Sequence, residues 1–169
     1  MKSETDSKRE MQIAWPDPQP SFDAASKMSG VEWLSAIAAG ELPGPPIAHL
    51  TGAFLKEVEK GRAVFELITG EQHYNPMLTV HGGVYSLLAD SATGCAVHSM
   101  LEQGEGYTTA ELHVNMIRPA DKNTGRLRCV AEVVHMGRKL AVAQADIYDD
   151  DDRLYAHASA TCMIFRPSK

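Results

Sequence analysis

No apolar run in this chain approaches the roughly 18 consecutive residues that a membrane-spanning helix requires, which excludes such a helix. Basic charge is also scarce. Sixteen Lys and Arg stand against 22 Asp and Glu, a formal net charge of -6, whereas a general nucleic-acid binder needs a basic surface. A phosphate-bearing small ligand stays possible, because a few basic side chains suffice to hold one. Cysteine is limited to Cys95, Cys129 and Cys162, far apart and without a CxxC pair. A disulfide framework and a thiolate zinc site are thereby excluded, and three reduced core thiols are expected. His49, His73, His98, His113, His135 and His157 show no metal-ligand spacing with one another. The acidic run Asp149–Asp152 lacks the spaced ligands and glycine of a calcium loop and reads as a hairpin tip. The opening MKSETDSKREMQ has no apolar centre of a secretory signal, so the cytoplasm is the expected location.

What is present describes one folded domain. Apolar residues make up 44% and charged residues 22% of 169 positions, enough to bury a core without staples. Residues 1–20, ending in WPDPQP, read as a flexible arm. Residues 21–46 read as a helical extension. Val31, Trp33, Leu34, Ile37 and Ala38 recur at helical spacing after Ser29 as a cap, and the spacing predicts one helix over 21–42 stopped by PGPP. From residue 47 to 169 the chain reads as the main domain. Two strands, 49–61 and 62–70, turn at Lys60-Gly61. A loop precedes HGGVYSLLADSATGCAVHSM, whose small and apolar residues predict a helix buried on most sides. Four strands follow at 107–117, 125–135, 138–148 and 153–165, with hairpin-length turns between them. One helix among strands joined this way implies an α+β fold in which an antiparallel sheet wraps the helix.

The chemistry-bearing residues lie on and around that helix. Asp90 interrupts an apolar stretch, although Asp is a weak helix former and an unpaired buried carboxylate is costly. Either something offsets the cost or the carboxylate faces a cleft, where it can act as base or nucleophile. At the helix start, His81-Gly82-Gly83 leaves backbone N–H groups open where the dipole favours negative charge, as an oxyanion hole requires. Asn75 can donate an amide to the same carbonyl or cap its own loop. Gly82 and Asp90 are eight residues apart, about 12 Å of helical rise. One carbonyl cannot meet both within one chain, so a working pair implies a two-fold oligomer with composite sites. In the strand GYTTAELHVNMIRPA, Ala110, Leu112, Val114 and Met116 alternate with Thr109, Glu111, His113 and Asn115, which places Thr109 on the polar face. Arg118, Lys122, Arg138 and Lys139 form a basic set suited to nucleotide phosphates.

The segments NPMLTVHGGVYSLLADSATGCAV and GYTTAELHVNMIRPA resemble the PaaI-type branch of the hotdog-fold acyl-CoA thioesterases, over residues 47 to 165. The resemblance implies a long central helix wrapped by a curved antiparallel sheet, with dimers as the minimal active unit and often homotetramers. It implies Asp90 as the catalytic carboxylate, Gly82 as the oxyanion-site glycine and Asn75 as the carbonyl-binding amide. Thr109 falls where relatives often carry Ser to assist the attacking water. The coenzyme A nucleotide is expected near Met116–Lys122 and His135–Lys139, with His81, Gly83, Asn115, Arg118, His135, Arg138 and Lys139 as substrate-binding candidates. No metal or other cofactor is implied, since coenzyme A belongs to the substrate, and neither a nucleic-acid nor a membrane partner is expected. A hotdog hydratase or dehydratase is the enzymatic rival, but the first histidine after Asp90 is His98, two turns on. A non-catalytic acyl-CoA sensor is the rival from another class.

Overall fold

In the computed structural model, which describes residues 8–166, residues 8–18 carry neither helix nor strand, and the rest of the predicted arm, residues 1–7, lies outside the described residues. Arg9 pairs with Glu71 at 3.1 Å, a contact reaching onto the main domain. The predicted single helix over 21–42 is two helices, α1 (Gln19–Ala25) and α2 (Gly30–Ala38). The break has a local cause: Ser29 is extended, and its N–H and hydroxyl both donate to the Glu32 carboxylate at 2.9 and 2.6 Å, starting a new helix. The stop comes before PGPP, because Gly40 adopts φ +75° and the N–H groups of Glu41 and Leu42 turn back to the Ala36 carbonyl.

The predicted strand 49–61 starts later. Pro46–Thr51 forms a short helix, α3, closed by Gly52 at φ 74°, and β1 covers Ala53–Glu59. It pairs with β2 (Arg62–Ile68). After a 3-10 turn at Glu71–His73, α4 spans Gly82–His98. The remaining strands are β3 (Gly106–Met116), β4 (Arg126–Met136), β5 (Leu140–Tyr148) and β6 (Leu154–Phe165). All pairings are antiparallel, in one six-stranded sheet of order β1-β2-β4-β5-β6-β3. No described helix is long and apolar enough to cross a membrane.

The sheet wraps one side of α4. Tyr85, Leu88, Ala89, Ala92 and Ala96 are buried there against Leu67, Leu127, Cys129 and Ile147. Alanines on both surfaces let helix and sheet approach closely, and a buried leucine such as Leu88 contributes roughly 1.5–3 kcal/mol. Cys129 and Cys162 are core thiols as expected, and Cys95 is half-buried beside the core. The extension docks on the other side. Gly30 N–H donates to the Leu101 carbonyl at 2.9 Å, and a side chain there would meet the His98 carbonyl at 1.7 Å, so only glycine allows α2 so near the end of α4.

Candidate active site

Helical periodicity splits α4 into two working faces. One lies on the sheet; the other carries Leu87, Asp90, Ser91, Cys95 and His98 on successive turns, and opens into a cavity of about 710 Å³. Asp90 is exposed there, the second of the two alternatives its place in an apolar stretch left open: it faces the cleft. Among the described residues that line the cavity, it is the only one that belongs to the Asp, Glu, Lys and Arg group. Across from it, Tyr107 brings its hydroxyl against Gly94, where an added Cβ would come within 2.2 Å. Burial pushes the Tyr107 phenol far above its ordinary value, and Cys95, Cys162 and Asp90 nearby add to the rise. Burial likewise pushes the Cys95 thiol up to about 12, with Asp90 contributing, so Cys95 is a poor nucleophile.

Thr109 stands on the opposite face of β3 from the one its sequence position suggested. A bulge between Thr109 and Glu111 inserts Ala110 as an unpaired residue, which reverses the alternation. Thr109 therefore shares the inner side with Leu112 and Val114, pairing across from buried Cys162. Ala110 is exposed, away from Leu112 and Val114. Cys162 is itself close enough to Asp90 to feel its charge, so the bulge brings Thr109 to the Asp90 side of the sheet. Met116 is exposed at the strand end, its thioether 2.7 Å from where a Cβ on Gly82 would stand.

The start of α4 lies at the other end of the helix. His81 caps it, its Nδ1 accepting from the Gly83 N–H at 2.9 Å. The Gly82 N–H has no acceptor among the described residues. Asn75 caps its own loop: Oδ1 accepts from Met77 and Thr79, and Nδ2 donates to the Thr79 hydroxyl at 2.9 Å, leaving one amide hydrogen over. Tyr85 hydroxyl holds the Arg118 carbonyl at 3.2 Å, and the Arg118 guanidinium donates to Leu154 and lies over Tyr155. Asn115 is exposed near this end, across from His157.

The basic set does not form one patch in one chain. Lys122 pairs with Glu71 at 2.9 Å near the start of α4, as Arg118 does with its own partners. Arg138 and Lys139 lie in the β4–β5 turn beside Ile164 and Arg166, at the far end, with exposed His135 nearby. The 17 residues of α4 separate the two groups, roughly 24 Å of helical rise. Sequence reasoning also passed over Trp33, His98 and Tyr107, which line the cavity in a row with ring centroids 5.0 and 5.6 Å apart. Gly94 was the available signal: glycine inside a helix costs about 1 kcal/mol against alanine and marks a close approach. Among the described residues no group of three or more His, Cys, Asp or Glu is arranged to hold a metal ion.

One antiparallel sheet around one long helix, with a lone carboxylate at the mouth of an apolar cavity, defines a hotdog-fold thioester hydrolase. The description "Thioesterase superfamily" matches residues 77–156. A phenylacetic acid degradation-related protein of Ralstonia eutropha, solved as a crystal structure, is 30% identical, with a TM-score of 0.69 over 77% of this chain and 98% of its own. The 1,4-dihydroxy-2-naphthoyl-CoA hydrolase of Listeria monocytogenes is 29% identical over 118 residues, 70% of this chain and 94% of that protein. The Escherichia coli PaaI protein, at 23% identity and TM-score 0.70 over 83% of this chain and 98% of its own, shares the fold. The chain belongs to the thioesterase superfamily.

Proposed function

We propose that this protein hydrolyses acyl-coenzyme A thioesters to a free acid and coenzyme A, in the cytoplasm, as a homodimer that pairs further into a homotetramer. The observation that carries this reading is the isolation of Asp90: one carboxylate, exposed, at an apolar cavity with no other Asp, Glu, Lys or Arg among its described lining residues. A binder of an apolar acyl group gains nothing from that charge. In the proposed reaction Asp90 attacks the thioester carbonyl or takes a proton from the attacking water. The carbonyl oxygen rests on the N–H of the partner subunit's Gly82, with the partner subunit's Asn75 amide beside it. The distance along α4 supports the two-chain assignment, since Gly82 and Asp90 of one chain stand about 12 Å apart. The separated basic groups fit the same arrangement, because only two chains can bring Arg118 and His135, Arg138 and Lys139 to one nucleotide. Thr109, on the Asp90 side of the sheet, orients the water or the carboxylate. His81, Gly83 and Asn115 line the approach. Water supplies the proton for the leaving thiolate and the hydroxyl for the acid, with no further cofactor.

Release of free thiol from aryl and aliphatic acyl-CoAs, by wild type and Asp90→Asn in parallel, tests the proposal. Turnover by wild type and its loss in a folded, oligomeric variant support it. Equal activity in both removes Asp90 from the chemistry, and an inert wild type favours acyl-CoA sensing. The hydratase reading is disfavoured by His98, which is eight residues from Asp90 and held between the Trp33 and Tyr107 rings.

A further inference from the structure

The cavity beside Asp90 is walled on one side by the N-terminal extension. Ser21, Trp33, Ile37 and Gly44 face Leu87, Asp90, Cys95 and His98 across it. The extension is tied in place rather than draped: Trp33 Nε1 donates to the Ser21 carbonyl at 2.9 Å, and Gln103 Nε2 to the Ser26 carbonyl at 3.2 Å. The Trp33 ring meets His98 edge-on.

We propose that the extension and the Asp90 face of α4 together form the acyl chamber, and that the acyl group is apolar, uncharged at its far end and larger than a single aromatic ring. The inference rests on thioester cleavage at Asp90, and three observations carry it. The first is continuity. With the thioester carbon at Asp90, the acyl group runs along Ser91 and Cys95 toward His98, about 12 Å of helical rise. The second is size. An apolar cavity of about 150 Å³ already accepts benzene, and 710 Å³ is several times that, within the range of sites that enclose a whole small-molecule ligand.

The third is charge. Among the described residues the far end holds no carboxylate and no Lys or Arg. Ser21 Oγ and His98 Nδ1 are enclosed there without partners among the described residues. Burial holds the His98 imidazole below its ordinary value, so it is neutral at neutral pH and supplies no counter-charge. An acyl chain ending in a carboxylate would bury that charge unpaired.

The test compares kcat/KM across acetyl-, hexanoyl-, adipoyl-, decanoyl-, benzoyl- and 2-naphthoyl-CoA. Decanoyl is expected to exceed acetyl, and naphthoyl to exceed benzoyl, with about fourfold gained per buried methylene until the chain reaches His98. Adipoyl is expected to fall below hexanoyl. Gly44→Phe fills the chamber: a Cβ there meets only Ile37 Cγ2, at 4.0 Å, and the backbone is not left-handed. In that variant the decanoyl-to-acetyl ratio falls about tenfold or more, through KM, as two or more methylenes lose their site. A flat wild-type profile overturns the inference, as does an unchanged ratio in a Gly44→Phe protein that melts at the wild-type temperature. If wild type cleaves nothing in the panel, the hydrolase reading fails, and the non-cleavable thioether S-decyl-CoA decides the chamber alone. In Trp15→Phe, Trp33 is the one tryptophan left. A saturable change in its fluorescence that Gly44→Phe abolishes sustains the chamber, and no change overturns it.

Discussion

The phenolic oxygen of Tyr107 occupies the space that a side chain on Gly94 would need, one helical turn beyond Asp90: a Cβ there would lie 2.2 Å from the oxygen and 2.9 Å from the carbon bearing it. β3 and α4 thus meet through a residue without a side chain, and the Asp90 face of the helix is fixed relative to the strand that carries Thr109. Gly94→Ala forces the ring or the helix to move and is expected to cost about 1–3 kcal/mol in urea unfolding. Tyr107→Phe removes the closest atom. The double variant should therefore lose less than the sum of the two single losses, a coupling that a double-mutant cycle measures directly.

Asp90 offers the opposite case, a residue proposed to act in the reaction and idle in the fold. Its carboxylate is exposed and accepts no hydrogen bond among the described residues. Asp90→Asn is expected to leave unfolding free energy within about 0.5 kcal/mol of wild type. Its kcat/KM on the best acyl-CoA should fall at least about a hundredfold. A large drop in stability with modest loss of turnover would reverse the assignment.

Gly82 can be tested without disturbing the helix it begins. His81 is extended at φ -63° and ψ 138°, a conformation that suits the residue before proline, and proline is well tolerated at the first helical position. Gly82→Pro therefore deletes one N–H and little else, with flexible Met116 giving way beside it. Loss of one oxyanion donor predicts a kcat decrease of about a hundred- to a thousandfold. Co-expression with Asp90→Asn then reads the subunit arrangement. A mixed two-fold dimer retains one site with both groups intact, so random pairing restores about a quarter of wild-type activity. Sites built within one chain would restore none.

The order of strands and the long helix were legible because local periodicity and burial agree there. HGGVYSLLADSATGCAVHSM is apolar nearly all round, and the structure explains why: one face meets the sheet and the other the cavity. What was not legible depends on contacts between distant residues. The bulge at Ala110 is set by pairing with β6, and a single inserted residue moved Thr109 from the outer to the inner face. The chamber joins Trp33, His98 and Tyr107, separated by more than 60 residues at its extremes, and no local pattern reports their meeting. The cap at Ser29 was read correctly, yet the bonds that end α1 before it and bend the chain at Gly40 were not.

Asp149 gives the fold a defined acid limit. It is 1% exposed in the β5–β6 turn. Burial works against its charged form, but Arg153, through backbone N–H and guanidinium, outweighs it together with the Tyr155 hydroxyl and the Asp151 N–H, and holds the pKa at about 2. Its ordinary value is 3.8. A carboxylate whose pKa is lower in the folded than in the unfolded chain binds protons more readily when unfolded. Its contribution is therefore complete above about pH 4 and disappears as pH falls toward 2. Asp149→Asn should melt below wild type at neutral pH, and its melting temperature should change less steeply between pH 4 and 2. Parallel thermal melts across that window check this. Equal slopes would mean that the turn is held by its backbone alone, and that the carboxylate at the Arg118–Tyr155 end of the sheet adds nothing to the fold.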